Sequence, residues 1–327
     1  SGVLITTSLA SVTGNYIGTN SAGTAAPVNI AGGANNINFG ITFAGGDRAS
    51  IVGNVVSGNG SGIAVSGLGA QQNVIRGNFI GTNATGTAAV PNLNYGVLIF
   101  NQSQNNIIGG ATAADRNIIS GNGRDGVNLS FDPLVSNNRI IGNYIGTNAA
   151  GTAAIGNVNA GVLVDGSTNT TIGGSSPGEG NVIAGNGDGV SVMNGATNTV
   201  IQGNLIGLNA TGTAALGNTN TGVRTANASF NVGGTTSGAR NIISGNQFGV
   251  LLSNSGSAFN SLIQGNYIGT DITGTVALGN TQQGVSIGSA PGTIVGGTSP
   301  GAGNQISGNN TGIFIRALCG AAIYGTY

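Results

Sequence analysis

One six-residue pattern recurs ten times along the 327 residues: Asn, an apolar residue, Ile or Val, a small residue, any residue, then Asn or Asp. Its copies begin at Asn15, Asn54, Asn78, Asn117, Asn143, Asn181, Asn204, Asn241, Asn266 and Asn304; the last carries Gln305 at the apolar position. The second Asn or Asp follows five residues later, from Asn20, Asn59 and Asn83 through to Asp271 and Asn309. A period this regular constrains the fold before any local propensity does. Each unit is too small to bury its own apolar face and must stack on its neighbours.

Two further elements accompany each copy. One is Gly-Val-x-Ile/Val/Leu, at Gly62, Gly96, Gly126, Gly161, Gly189, Gly249 and Gly284, with alternating apolar residues such as Val97/Ile99 and Val190/Val192. The residues between them vary freely. Period two with one constant face marks a strand. The other precedes the Asn motif, as in Val74-Ile75-Arg76-Gly77 and Ile107-Ile108-Gly109-Gly110. Three short strands per coil and two coils per unit give an all-β, three-sheet solenoid of about ten coils, expected to be a single domain over residues 1–327. Alternate coils carry a long excursion after the motif, from Ala84, Ala149 and Ala210, or a short one before it, from Ala111, Ser175 and Thr235. The first unit departs from this, with extra residues near Ile30 to Asn38. So many glycines leave no 3.6-residue pattern for helices.

Parallel coils stack about 4.8 Å apart, so equivalent side chains pile up. Ile17, Val56, Ile80, Ile119, Ile145, Ile183, Ile206, Ile243, Ile268 and Ile306 are expected to form an inner column, each contributing about 1.5–3 kcal/mol if fully buried. The leading Asn residues are expected to bend the chain and to form a hydrogen-bonded ladder. The residue after each leading Asn points outward. Tyr16, Phe79, Tyr144, Leu205 and Tyr267 belong to this apolar stripe, which the excursions cover or which contacts another chain laterally.

Charge is scarce: eight Arg, eight acids, no Lys and no His, or 5% of residues against an ordinary quarter or so. Such a surface does not attract nucleic acid or anionic lipid. No stretch reaches the roughly 18 apolar residues of a membrane helix. Cys319 is the only cysteine, which excludes an intrachain disulfide.

The run Asn-x-Ile-x-Gly-Asn-x-Ile-Gly-Thr-Asn, followed by Gly-Val-x-Ile, Asn-x-Ile-Gly-Gly and Asn-Val-Ile-Ser-Gly-Asn, resembles the right-handed parallel β-helix repeats of bacterial cell-surface and secreted proteins. These share the pectin-lyase-like superfold. The resemblance covers essentially the whole chain and implies the architecture and right-handed winding. It also implies an extracellular or cell-surface location. It does not specify activity, because the same solenoid carries lyases, hydrolases, epimerases, adhesins and passive stalks.

The residues themselves offer no plain catalytic set. A polysaccharide lyase of this superfold should show clustered acids for calcium and an Arg or Lys base. A glycoside hydrolase needs two facing carboxylates. Asp132 and Asp165 follow the Gly-Val strand on adjacent coils, with Arg139 nearby, and are read as surface charge. Several Asp-Arg neighbours are expected to neutralise each other. No metal or cofactor is expected; Asp271 is a lone acid among Asn. Thr19, Thr82, Thr147 and Thr270 form a discontinuous array that a glycan or ice surface would have to read. The Asn-x-Ser/Thr sequences at Asn83, Asn128, Asn169, Asn209 and Asn227 are commonplace in so Asn-rich a chain.

Neither end looks capped, as though the chain began and finished within a coil. The resulting expectation is a non-catalytic structural subunit, binding copies of itself end to end, with lateral contacts as an option, as a fibre, stalk or adhesin scaffold. Surface glycans are a further partner; nucleic acid and membrane insertion are not expected. The alternative is a carbohydrate-active enzyme or glycan-binding module.

Overall fold

The computed structural model describes residues 1–27, 38–130, 132–253, 260–316 and 322–325. Cys319 and most of the first unit's extra residues lie outside these. Three parallel sheets of eleven, eleven and ten strands wind as a right-handed parallel β-helix. Sheet A holds the Gly-Val-x-Ile strands, such as Val97–Phe100 and Asp188–Met193; sheet B the strands before the Asn motif, such as Ile107–Gly109; sheet C the two-residue strands inside it, such as Tyr144–Ile145. The chain visits A, B and C in turn, and every strand pairs with its counterparts in adjacent coils. The only helical elements among the described residues are single 3-10 turns, Ala113–Asp115 and Ser237–Ala239, both in short insertions.

The core follows from the register. Ile119 pairs with Ile80 and Ile145, Ile183 with Ile145 and Ile206, so one sheet C column runs up the axis, buried from Ile17 to Ile268. Ile306 is half-buried at its end. Val and Ile from sheets A and B fill the rest. Thr225, the polar residue at an inward sheet A position, is satisfied by donating to the Ala228 carbonyl at 3.2 Å.

Every leading Asn from Asn15 to Asn266 donates from Nδ2 to the Oδ1 of the next, at 2.9–3.1 Å, ending on Asn304. Each accepting oxygen also takes a backbone N–H from the rung before, as Asn143 does from Asn117 at 3.3 Å. The second ladder differs from the fixed five-residue spacing. It runs Asn59, Asn92, Asn122, Asn157, Asn186, Asn218, Asn246, Asn280, Asn309. On long-excursion coils the rung is the Asn at which the chain re-enters. The Asn at which it leaves turns back on the excursion instead: Asn83, Asn148 and Asn209 accept the backbone N–H of Thr87, Thr152 and Thr213 at 2.8–3.0 Å. A third, shorter ladder joins Asn73, Asn106 and Asn138 at the turn into sheet B, each preceded by a left-handed residue (Gln72, Asn105, Asn137). It stops where Thr170 and Thr199 take over; their hydroxyls are buried without a hydrogen-bond partner.

The excursions lie over sheet C. Each closes with an antiparallel bridge, Thr82 to Ala89 for example, and Ala149 N–H donates to Gly86 of the excursion two coils earlier at 2.9 Å. Glycines touch the stripe because nothing larger fits: a Cβ on Gly86 would sit 2.8 Å from the Phe79 ring, and one on Gly151 2.9 Å from Tyr144. Tyr16 is exposed, while Phe79, Tyr144, Leu205 and Tyr267 are half-buried beneath this cover.

Candidate functional site

The outer face of sheet A gathers a group of polar and ionisable side chains. Residues immediately before each Gly-Val pair form one outward column, in which Tyr95, Asp125, Ala160, Asp188 and Thr221 follow one another by the register of Val97, Val127, Val162, Val190 and Val223. The next outward column contains Leu98, Asn128, Leu163, Ser191 and Arg224. Sheet regularity therefore brings together seven polar or charged side chains from five separate coils.

Asp125 is only 4% exposed. Its carboxylate accepts the Asn128 amide at 2.8 Å and the Ala160 backbone N–H at 3.0 Å. Burial pushes its pKa above the usual carboxylate value of 3.8, and the nearby Asp165 charge adds to this; the two hydrogen bonds and the Arg124 charge offset part of the rise. Asp188, two rungs on, accepts Thr221 Oγ1 at 2.7 Å, Ser191 Oγ at 3.1 Å and the Arg224 guanidinium at 3.3 Å. A concavity of about 320 Å³ lies over both acids, with Leu163, Met193 and Arg224 in its lining. Two rungs separate the acid-bearing backbones by about 9–10 Å. Aromatic rings extend this face: Phe39 and Phe100 lie 6.4 Å apart, and Arg124 sits over Tyr95 at 5.9 Å.

The acids singled out from sequence are placed otherwise. Asp132 accepts the Gln102 and Leu134 backbone N–H groups at 2.9 Å, stabilising a turn. Asp165 accepts the Asn194 amide at 2.7 Å, and Arg139 pairs with Glu179 at 2.8 Å on sheet B. Of the adjacent Asp-Arg pairs, Asp47 and Arg48 do meet, at 2.9 Å. Arg116 instead lies over Tyr144, and Asp115 pairs with Arg76 of another coil. The threonines do not form an outward array. Thr82, Thr147 and Thr270 are buried under the excursions, each donating to the carbonyl of the following residue. Asp125 and Asp188 were legible only as a repeated Asp-Gly-Val whose significance depends on the register, and Arg224 only as a variable residue after a Gly-Val pair.

The class of protein is thus a right-handed parallel β-helix. Among solved structures, the chain is similar to the mannuronan C-5 epimerase AlgE6 A-module of Azotobacter vinelandii (17% identity, TM-score 0.45, 88% of this chain and 59% of that one). It is also similar to a double mutant of the periplasmic alginate epimerase AlgG (16%, 0.46, 88% and 50%) and to pectate lyase Pel9A (16%, 0.28, 84% and 72%). The chain spans about half to three fifths of the length of the two epimerases. No family profile matches the chain, and no curated protein matches it. Two expectations are corrected here. The reading of this chain as a non-catalytic fibre or stalk subunit is withdrawn. The physical reason for the error is that acids counted one by one along the chain looked dispersed, whereas stacking gathers Asp125 and Asp188 over one concavity.

Proposed function

We propose that this protein is a carbohydrate-active enzyme that holds a polysaccharide along the outer face of sheet A. The observation that carries the reading is Asp125: a buried carboxyl with a raised pKa, at the wall of a concavity shared with Asp188 and Arg224. A carboxyl that holds its proton to higher pH than an ordinary carboxylate suits the donor to a leaving glycosidic oxygen. Asp188, held by Thr221, Ser191 and Arg224, is oriented to accept from a water or sugar hydroxyl. Arg224 supplies the positive charge that a uronate carboxylate would meet. Phe39, Tyr95 and Phe100 offer flat apolar surface for sugar rings on neighbouring coils. A polymer too large to cross a membrane is met outside the cytoplasm, at the cell surface or in the periplasm. No helix among the described residues is long and apolar enough to cross a membrane.

The test is product analysis by NMR and reducing-end release on a neutral β-glucan, polygalacturonate and polymannuronate. Asp125→Asn is expected to lower turnover at least about a hundredfold, the usual scale of general acid catalysis, while retaining binding. Equal turnover by parent and Asp125→Asn, or none by the parent on any of these glycans, would overturn the proposal.

A further inference from the structure

A second cavity lies on a different sheet. Over sheet C, the short insertions and long excursions flank a groove that arginines bridge at two points. Arg116 lies 4.0 Å above the Tyr144 ring and Arg240 4.1 Å above Tyr267. Midway between them, the same two positions of the repeat hold Gly180 and Leu205. No arginine is possible there, because a Cβ on Gly180 would collide with the Gly203 carbonyl. Nor is there a ring, because Leu205 stands where Tyr16, Phe79, Tyr144 and Tyr267 stand on the other long-excursion coils. The paired loss opens a cavity of about 480 Å³, within the range of small-molecule sites.

Its lining indicates what fills it. Val182, Leu205, Ile242 and Ile272 provide an apolar surface, and Arg116 and Arg240 both line the cavity. The acids adjoining lining residues are committed elsewhere: Asp115 to Arg76, Glu179 to Arg139, and Asp271 to the Thr273 hydroxyl and the Thr275 and Val276 backbone N–H groups. The Arg116 Nε–H is buried and finds no acceptor within the protein. Elsewhere in this groove the same floor position carries a phenol ring against a guanidinium. We propose that the cavity binds a planar aromatic carboxylate, its ring resting on Leu205 and its charge facing the arginines. The site is independent of sheet A and does not require the activity proposed there.

Isothermal titration with 4-hydroxycinnamate tests it, with 4-hydroxycinnamamide as the uncharged comparator and galacturonate as the non-aromatic anion. The parent should bind 4-hydroxycinnamate saturably and each comparator at least about tenfold more weakly. Arg240→Gln should weaken binding by about the same factor. Leu205→Tyr places the repeat's own ring in the cavity. It should abolish binding while melting at or above the parent's temperature, which separates filling from unfolding. No saturable binding by the parent, equal binding of galacturonate or the amide, or undiminished binding to a folded Leu205→Tyr would overturn the proposal.

Discussion

At the residue scale, the asparagine rung is the unit of both shape and stability. Asn143 makes the point. Its Nδ2 donates to Asn181 Oδ1 at 3.1 Å, and its Oδ1 accepts both the side chain and backbone N–H of Asn117. Asn143→Leu leaves two donors of Asn117 unpaired in a fully buried place. At about 1–3 kcal/mol for each buried unsatisfied group, the loss should reach about 3 kcal/mol in chemical denaturation. A variant as stable as the parent would show that the ladder does not hold the coils together. Asp125 gives the complementary case. Its pKa is raised on folding, so the folded state holds that proton more tightly than the unfolded one. Its contribution is fully present below the unfolded value of 3.8 and is lost as pH rises through the folded value. Asp125→Asn should therefore be more stable than the parent at neutral pH, with the advantage shrinking toward pH 3, as thermal melts across that range will report. The same titration should set the alkaline limb of the pH–rate profile.

At the element scale, the excursions decide what a fixed spacing can and cannot reveal. The leading Asn, the inner Ile column and the alternating sheet A strands were legible because each lies within one uninterrupted segment. The second ladder was not, since the excursion leaves at Asn83 and returns at Asn92, and counting five residues crosses the exit. The third ladder escaped because Asn73, Asn106 and Asn138 follow left-handed residues in loops of unequal content. Thr82 and Thr147 alternate like surface residues, yet a cover of Gly and Ala supplied from further along buries them. Two asparagines of one excursion should therefore behave differently. Asn92→Ala removes a buried rung and should cost about 2–3 kcal/mol, whereas Asn83→Ala loosens only an exposed turn and should cost about 1 kcal/mol or less, both by urea denaturation. Equal losses would return the rung to Asn83.

At the scale of the whole molecule, stacking converts sequence distance into surface adjacency. Asp125, Asp188 and Arg224 are 63 and 36 residues apart along the chain, yet Asp188 and Arg224 pair and both acids line one concavity. Nothing in a linear reading weights those acids above Asp132, which merely secures a turn. Repetition provides the frame, and departures from it provide the sites: two acids in a column otherwise of uncharged residues on sheet A, and the lost Arg–Tyr pair on sheet C. Whether sheet A is the face that holds the polymer is best decided by hydrogen–deuterium exchange with and without a bound oligosaccharide of the turned-over glycan, using Asp125→Asn to prevent its consumption. Added protection is expected across Val127–Leu129, Ala160–Asp165, Asp188–Met193 and Thr221–Ala226. Protection confined to the sheet C groove, or to neither sheet, would rule that face out.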